Sequence, residues 1–321
     1  SPVPSTSRAT LGRCSMPTAA PTMPELPDVV VYLEAIDRHL VGQPIDRIEI
    51  KGLAVLKSYD PPISEAHGKT VLGTRRLGKR LILELEDDLF LVIHLMIAGR
   101  LFWKEPDAKT GGKDVLMAIR FGQGTLILRE VAKKKRARVW LHRGEGSMLE
   151  EHDRGGAEPL EIDRDTFAER LQSENRTLKR GLTNPRTFSG IGNAYSDEIL
   201  LHAQLSPVKR TQQLTDDEID RLYAATRSTL GLWLERMRDE TGEGWPEKVT
   251  AFRPEMVVHG KYRDPCSVCG TEVQRIAYAA NEVNYCPQCQ TDGKVLADRS
   301  LSRLLKEDWP KTVEELEGFR S

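Results

Sequence analysis

The sequence predicts an α+β multidomain protein: an N-terminal β-sandwich led by a helix, a helical domain, and a C-terminal metal-binding β-hairpin. Three observations carry this prediction. Seven short apolar runs separated by turn residues fill the first half, apolar residues at helical spacing follow, and two Cys pairs come near the end. Short strands with regular turn signals are typical of a sandwich or barrel. A chain of 321 residues also exceeds the size at which one core stops growing, so several domains are expected.

The composition is that of an ordinary globular protein, with 30% charged and 39% hydrophobic residues and a net charge of -1. No run of about 18 apolar residues occurs, so the sequence predicts no membrane span. With so little net charge, any basic surface must be local and balanced by acidic faces elsewhere. The paired Cys residues favour a metal site over disulfides, which predicts a reducing, cytoplasmic setting.

The start of the chain contains a candidate catalytic pair. Residues 1–23 are predicted to form a disordered extension, because they are rich in Ser, Pro, Thr and Ala and lack periodicity. If the functional chain began at Pro24, through initiation at Met23 or processing, its secondary amine would be a nucleophile. Glu25 beside it would move protons on the substrate. The alternative is that Pro24 only begins a helix.

The first domain is predicted over residues 24–155. Val29, Leu33, Ile36 and Leu40 recur at spacings that line one face of a helix. The predicted strands that follow are 45–50, 71–77, 81–85, 89–95, 101–103, 115–121 and 126–128.

A dense basic run, Lys133–Arg138, is the strongest candidate surface for phosphate groups in this domain. Its candidate contact residues are Lys134, Lys135 and Arg136. A solvated charged face is the alternative interpretation. A second basic set surrounds Lys79 in the segment Arg76-Leu77-Gly78-Lys79-Arg80.

The helical domain is predicted over residues 156–260. Helices are expected at 163–172, 177–182, 195–202 and 216–238, from apolar residues at helical spacing. Between two of them lies Gly190-Ile191-Gly192-Asn193, which would leave backbone N–H groups open to an anion, with Asn193 as a further donor. A tight helix connector is the alternative.

The C-terminal hairpin is predicted over residues 261–290. Cys266-x2-Cys269-x16-Cys286-x2-Cys289 fits the spacing of a four-thiolate zinc site. Four thiolates leave no open position, so the single Zn²⁺ is expected to be structural. The remaining tail, residues 291–321, is predicted to carry one short helix that includes Leu301, Leu304 and Leu305.

Taken in order over residues 23–290, these motifs resemble the formamidopyrimidine-DNA glycosylase / endonuclease VIII family. They are the Pro-Glu-Leu-Pro start, the Gly-Lys-Arg segment, the Gly-Ile-Gly-Asn turn and the four-Cys hairpin. The resemblance implies a β-sandwich, a helix–two-turn–helix domain and a zinc finger. It also implies excision of oxidised bases from double-stranded DNA and strand cleavage at abasic sites, by a monomer associated with the nucleoid in the cytoplasm.

The resemblance assigns roles to matching residues. Pro24 would attack C1′ of the damaged nucleotide and Glu25 would protonate the sugar ring oxygen. Lys79 would contact a phosphate near the lesion and assist catalysis. Asn193 would hold a phosphate that flanks the extruded nucleotide, and Lys179 is a second candidate for that contact.

The chain also departs from the family pattern. Ile97 stands where a Met is expected, with Met96 one place early, and the basic run replaces an Arg-Arg-Phe-Gly segment. Asp28 replaces a Glu, and Asn281 stands where an Arg linked to the second elimination is expected, so the elimination course stays open. Two alternatives therefore remain: an enzyme that is mainly an abasic-site lyase or an oxidised-pyrimidine glycosylase, and a non-catalytic binder of damaged DNA if Pro24 is internal.

Overall fold

The computed structural model describes residues 23–52, 54–247, 249–250, 253–278, 281–297 and 310–320. Their N-terminal part is a sandwich of two four-stranded antiparallel sheets, with strand orders β2-β3-β4-β8 and β1-β6-β7-β5. The strands are β1 Arg47–Ile50, β2 Val71–Leu77, β3 Arg80–Leu85, β4 Leu89–His94, β5 Gly99–Lys104, β6 Val115–Phe121, β7 Gly124–Glu130 and β8 Arg138–Arg143. The predicted sandwich is confirmed.

Strand β8 was absent from the sequence prediction. It pairs with β4 along its whole length and buries Val139 and Leu141 in the sandwich core. Arg138 and Arg143, at its two ends, are exposed. The sequence pattern does not indicate this strand, because its four central residues are all buried and show no alternation, and arginines flank them on both sides.

Helix α1 (Leu26–Leu40) belongs to two hydrophobic cores at once. Val29, Leu33, Ile36 and Leu40 pack into the sandwich core, which confirms the predicted face. Leu26, at the first turn, is instead buried in the core of the helical domain. The helix therefore fixes the start of the chain relative to both domains.

The helical domain follows a short helix, α2 (Glu145–His152), that the sequence prediction did not include. Its helices are α3 Arg164–Gln172, α4 Leu178–Thr183, α5 Asn193–His202 and α6 Asp216–Thr241. Thr215 caps α6: its hydroxyl accepts from Glu218 N and the Glu218 carboxylate accepts from Thr215 N, which satisfies two helix-end donors. The four predicted helices are confirmed, with ends shifted by up to three residues.

The C-terminal hairpin consists of β9 (Gln274–Tyr278) and β10 (Asn281–Tyr285), followed by α7 (Pro287–Thr291). A last helix, α8 (Val313–Arg320), was not predicted. The helix predicted around Leu301, Leu304 and Leu305 lies outside the described residues.

None of the helices in the described part of the chain has the length and apolar character needed to cross a bilayer.

The carboxylate of Glu198, on α5, anchors the segment that leads into the hairpin. It is buried and accepts hydrogen bonds from the backbone N–H groups of Val257, Val258 and His259 at 3.0, 2.9 and 2.8 Å. A buried carboxylate is stable only when its oxygens find such donors. The position of the hairpin relative to α5 is therefore fixed by hydrogen bonds as well as by packing.

Candidate active site and zinc centre

The carboxylate of Glu25 lies at the N-terminus of α5. It accepts hydrogen bonds from the backbone N–H groups of Gly192 at 2.6 Å, Ala194 at 2.9 Å and Tyr195 at 3.3 Å. The first turn of a helix leaves such N–H groups without intrahelical partners, and its dipole favours a negative charge there. The turn thus binds an anion, as its sequence predicts, and the anion is a carboxylate of the chain itself.

The main chain directly after Pro24 is fixed by two hydrogen bonds. The backbone N–H of Glu25 donates to Oδ2 of Asp28 at 2.8 Å, and the N–H of Leu26 donates to the carbonyl of Gly190 at 3.0 Å. Pro24 itself is buried. Pro24 therefore directly precedes a segment that is bound to the turn before α5.

Lys79 reaches the same place from the turn between β2 and β3. A Cβ added to Gly192 would lie 2.2 Å from Nζ of Lys79 and 2.5 Å from Cδ of Glu25. Both side chains therefore pack directly on this glycine and leave no room for a methyl group. Burial lowers the pKa of Lys79 below its ordinary value, although Glu25 and Asp28 act in the opposite direction. Of the residues predicted from sequence, the structure brings Glu25 and Lys79 together, and Pro24 is next to Glu25 in the chain.

Gly192→Ala is expected to lower activity on the order of 10²-fold or more, since displacing catalytic groups by about 1 Å has effects of that size. The backbone of Gly192 suits any residue, with φ of -133°, and the added methyl would meet only side-chain atoms. Folding should therefore survive while Glu25 and Lys79 are displaced. Activity assays and urea unfolding of the same variant measure the two effects. The control is Gly231→Ala, because a methyl group at Gly231 would enter open space. Normal activity of the Gly192 variant would contradict the arrangement.

A group of buried polar side chains lies behind Glu25. Within the part of the chain that the structure describes, Oδ1 of Asp28, Oη of Tyr195 and Nε of Arg253 are buried without hydrogen-bond partners. Arg253 interacts electrostatically with both Asp28 and Tyr195. Sequence reasoning missed Tyr195 and Arg253, because nothing in their local sequence signals a contact with the start of the chain.

Burial raises the pKa of Asp28 from 3.8 to about 7. The folded protein therefore holds this proton more tightly than the unfolded chain, and it loses stability as the pH rises from about 4 to about 7. Three pKa units correspond to about 4 kcal/mol as an upper bound. Asp28→Asn, whose amide oxygen can still accept from Glu25 N, should flatten this decline.

Urea unfolding between pH 4.5 and 7.5 measures the effect of Asp28→Asn. The matched control is Asp46→Asn, which alters an exposed carboxylate. Equal pH slopes in the wild type and the Asp28 variant would show that Asp28 is ionised throughout.

Lys179 and Asn193 are engaged with the protein itself. Nζ of Lys179 donates to the Asn193 carbonyl at 2.6 Å and to Oδ1 of Asp197 at 2.5 Å, and the lysine is only 8% exposed. The side-chain amide of Asn193 donates to the carbonyl of Glu282 at 2.9 Å. These contacts hold α4, α5 and the hairpin together, so the phosphate contacts of both residues stay predictions.

The basic run forms the loop between β7 and β8. Oε2 of Glu130 accepts from the backbone N–H groups of Arg136 at 2.7 Å and Ala137 at 2.9 Å, and Nζ of Lys135 donates to the Glu130 carbonyl. Lys134 and Arg136 are exposed, whereas Lys135 is half-buried. The same loop presents Val131, which is 83% exposed and which the sequence prediction passed over.

Met96 and Ile97 lie in the turn between β4 and β5. Met96 has a positive φ of 54°, and its Sδ lies 2.6 Å from Nδ1 of His94. Both Met96 and Ile97 are half-buried. The side chain of Asn281 lies outside the described part of the structure.

The four Cys sulfur atoms form one cluster. Sγ of Cys266 lies 4.0 Å from that of Cys289, and Sγ of Cys269 lies 3.4 Å from that of Cys286; all four lie within 4.8 Å of one another. Four thiolates placed tetrahedrally at about 2.3 Å from zinc would be about 3.8 Å apart. The residues present therefore fit one structural Zn²⁺, as the spacing predicts.

Comparison with known proteins agrees with this geometry. Three family models match: the formamidopyrimidine-DNA glycosylase N-terminal domain at residues 23–142, the H2TH domain at 156–242, and the zinc finger found in FPG and IleRS at 263–291. The formamidopyrimidine-DNA glycosylase of Lactococcus lactis subsp. cremoris is 31% identical over 278 residues, which cover 84% of this chain and 99% of that protein. A formamidopyrimidine-DNA glycosylase-like protein of Mycobacterium tuberculosis is 37% identical over 151 residues, covering 47% of this chain and 94% of that protein.

Solved structures show the same relation. The complex of the Lactococcus lactis Fpg with DNA containing an abasic site superposes with a TM-score of 0.73 at 29% identity, covering 83% of this chain and 99% of that chain. The complex of the LlFpg protein with a THF-DNA and an inhibitor gives the same TM-score and identity, covering 84% and 100%. On the strength of a full-length relative and of three successive domain matches, the chain belongs to the formamidopyrimidine-DNA glycosylase family.

Proposed function

We propose that this protein is a bifunctional DNA repair enzyme, which excises damaged bases from double-stranded DNA and cleaves the strand at the resulting abasic site. The observation that carries the proposal is the convergence of the Glu25 carboxylate and the Lys79 amine on Gly192, with Pro24 directly before Glu25 in the chain. The relatives named as glycosylases, and the related structure bound to abasic-site DNA, support it.

In the proposed chemistry, the free amine of Pro24 attacks C1′ of the extruded nucleotide while the bond from C1′ to the base breaks. The base leaves with the electrons of that bond and takes a proton from water. The proton lost by the Pro24 nitrogen passes to the Glu25 carboxylate and from there to the ring oxygen, so that the sugar opens and C1′ forms an iminium with the Pro24 nitrogen. Loss of a proton from C2′ then expels the 3′ phosphate, and water hydrolyses the imine. Extrusion of the base costs a few kcal/mol, least at damaged pairs, which supplies part of the selectivity.

Lys79 is assigned to the phosphate beside the lesion. Its Nζ and the Glu25 carboxylate both lie against Gly192, so a phosphate bound there would place the sugar within reach of both. Arg76 is not assigned a DNA contact, because it donates to Ser189 Oγ at 3.0 Å and forms an ion pair with Glu158. This cation joins the two domains.

The chemistry requires a free Pro24 amine. We infer that the functional protein begins at Pro24, since the nitrogen of an internal proline is an amide without a nucleophilic lone pair. The match to the N-terminal family domain begins at residue 23, which supports this start. A cytoplasmic place of action, where a bacterial chromosome lies, belongs to the same proposal.

A second candidate is an enzyme that is mainly an abasic-site lyase or an oxidised-pyrimidine glycosylase. The loop between β7 and β8 favours it, because lysines, Arg136 and Ala137 occupy the expected Arg-Arg-Phe-Gly segment. The Phe of that segment would stack in the gap that the extruded base leaves in the duplex. Without this aromatic side chain, stacking stabilises the extruded state less. We therefore assign the enzyme no preference for one particular oxidised purine.

Borohydride trapping on abasic-site DNA tests the proposal, with protein that begins at Pro24. A covalent adduct with the mass of protein plus DNA is expected, and its absence would leave only non-catalytic binding. A panel of duplexes that each carry one oxidised purine or pyrimidine then separates the two enzymatic candidates. Release of no base from any of them, with cleavage of abasic DNA retained, would identify a lyase.

Changing Lys134, Lys135 and Arg136 together to Ala should make DNA binding less sensitive to salt. Each phosphate contact contributes about -0.9 to the slope of log K against log salt, so the loss of two or three contacts is measurable by titration at several salt concentrations. Changing the exposed residues Lys104, Lys109 and Lys113 to Ala removes the same charge elsewhere and serves as the control. An unchanged slope together with unchanged activity would identify the run as a solvated surface.

A further inference from the structure

A second cluster of metal-ligand side chains lies away from the four cysteines, where α2 packs on strand β8. Nε2 of His142, on β8, lies 2.9 Å from Nε2 of His152, in the last turn of α2. Oε2 of Glu151 lies 3.7 Å from Nε2 of His142, and one ligand atom from each of the three residues lies within 4.8 Å of the others. Both histidines are buried, whereas the carboxylate of Glu151 is half exposed and opens the cluster to solvent.

The two imidazoles pair with each other through their Nε2 atoms. At 2.9 Å this contact is a hydrogen bond, in which one Nε2 carries the hydrogen and the other accepts it. A metal ion bound by both atoms would replace that hydrogen bond, with the hydrogen moved to the other ring nitrogen. Trp140 packs edge-on against the ring of His152, with centroids 4.7 Å apart, and holds its orientation.

The distance between the two nitrogens suits a shared ion. Two nitrogens at about 2.0–2.1 Å from one Zn²⁺ and 2.9 Å from each other subtend roughly 90° at the metal. A small adjustment of the Glu151 side chain would bring its oxygen to the third position. Two His and one Glu are a donor set that zinc accepts, with water in the fourth position.

We propose that His142, Glu151 and His152 bind a second divalent transition-metal ion, Zn²⁺ in the first place. The ion would fasten α2 to β8, an edge strand of its sheet. Arg80 and Arg154 lie close enough to lower the pKa of His152, so they also oppose a cation and are offset only in part by Glu151. The second ion is therefore held more weakly than the ion on four thiolates, and a chelator should remove it first.

Metal analysis of the full, untagged holoprotein tests this site. After exposure to excess Zn²⁺ and desalting, the wild type is expected to hold two ions per chain, and mild chelation is expected to leave one. The double change His142→Gln and His152→Gln should reduce the saturated value to one. The control is His202→Gln, which alters an exposed histidine on another helix and should leave two ions.

Two further measurements keep the test decisive if the double variant folds poorly. Glu151→Gln alters a half-exposed side chain and should weaken only the second ion. In Co²⁺-loaded wild type, the thiolate site gives sulfur-to-cobalt charge-transfer absorption, whereas the second ion should add only weaker visible bands. One ion per saturated wild-type chain would overturn the proposal. It would also be overturned by a second ion whose retention is unchanged in both the Glu151 variant and the double variant.

Discussion

Protein that retains residues 1–23 is expected to form no borohydride-trapped adduct with abasic-site DNA, whereas protein that begins at Pro24 forms one. In the longer protein the nitrogen of Pro24 is part of a planar amide, whose lone pair is delocalised into the carbonyl. Pro24 is also buried, so residues that precede it are expected to crowd the approach of the sugar to its nitrogen. The expected difference is a complete loss rather than a reduction.

Intact mass and N-terminal sequencing of each preparation must establish where it begins before the trapping assay. A third protein, which keeps only Met23 before Pro24, separates the effect of amide formation from that of bulk, and it too should give no adduct. DNA affinity should persist in all three, because the sandwich and the finger are unchanged. Full glycosylase and lyase activity from protein proven to keep Ser1 would rule out the Pro24 mechanism.

Cys286→Ser is expected to abolish zinc binding by the finger and most of the affinity for DNA. Cys286 is fully buried, and its Sγ lies 3.4 Å from that of Cys269 and accepts from the backbone N–H of Cys289. It also packs in a small core with Leu201 and Val258. The binding free energy of a structural Zn²⁺ is about 10–16 kcal/mol in isolated finger peptides, where it is also the folding free energy. A module as small as this finger therefore cannot stay folded without the ion.

Loss of the thiolate-to-cobalt absorption in Co²⁺-loaded protein, followed beside DNA titration, measures this effect. Val268→Ser changes an exposed residue of the same finger that is not a zinc ligand and is the matched control. The sandwich should remain folded in the Cys286 variant, because its core contains no residue of the hairpin. Pure wild-type protein without any zinc on these thiolates would refute the assignment.

The parts of this structure that depend on local spacing could be predicted from the sequence. The buried face of α1 follows from helical periodicity, and the zinc cluster follows from Cys spacing, because both bring together residues close in the chain. The turn at Gly192 was recognised as a place for an anion, but the anion comes from Glu25, 167 residues earlier. No local pattern encodes such a pairing, and the same is true of Arg253 beside Asp28.

The docking of Glu25 on α5 also links the chemistry of this protein to the arrangement of its domains. Glu25 precedes a helix whose later turns are buried in the sandwich, while its carboxylate is bound by the first turn of a helix in the other domain. Moving the domains apart would strip a buried carboxylate of three hydrogen-bond donors, which is energetically costly. The domain interface is thus held in part by the Glu25 carboxylate, and under the proposed mechanism this proton carrier keeps its place only while the two domains stay together.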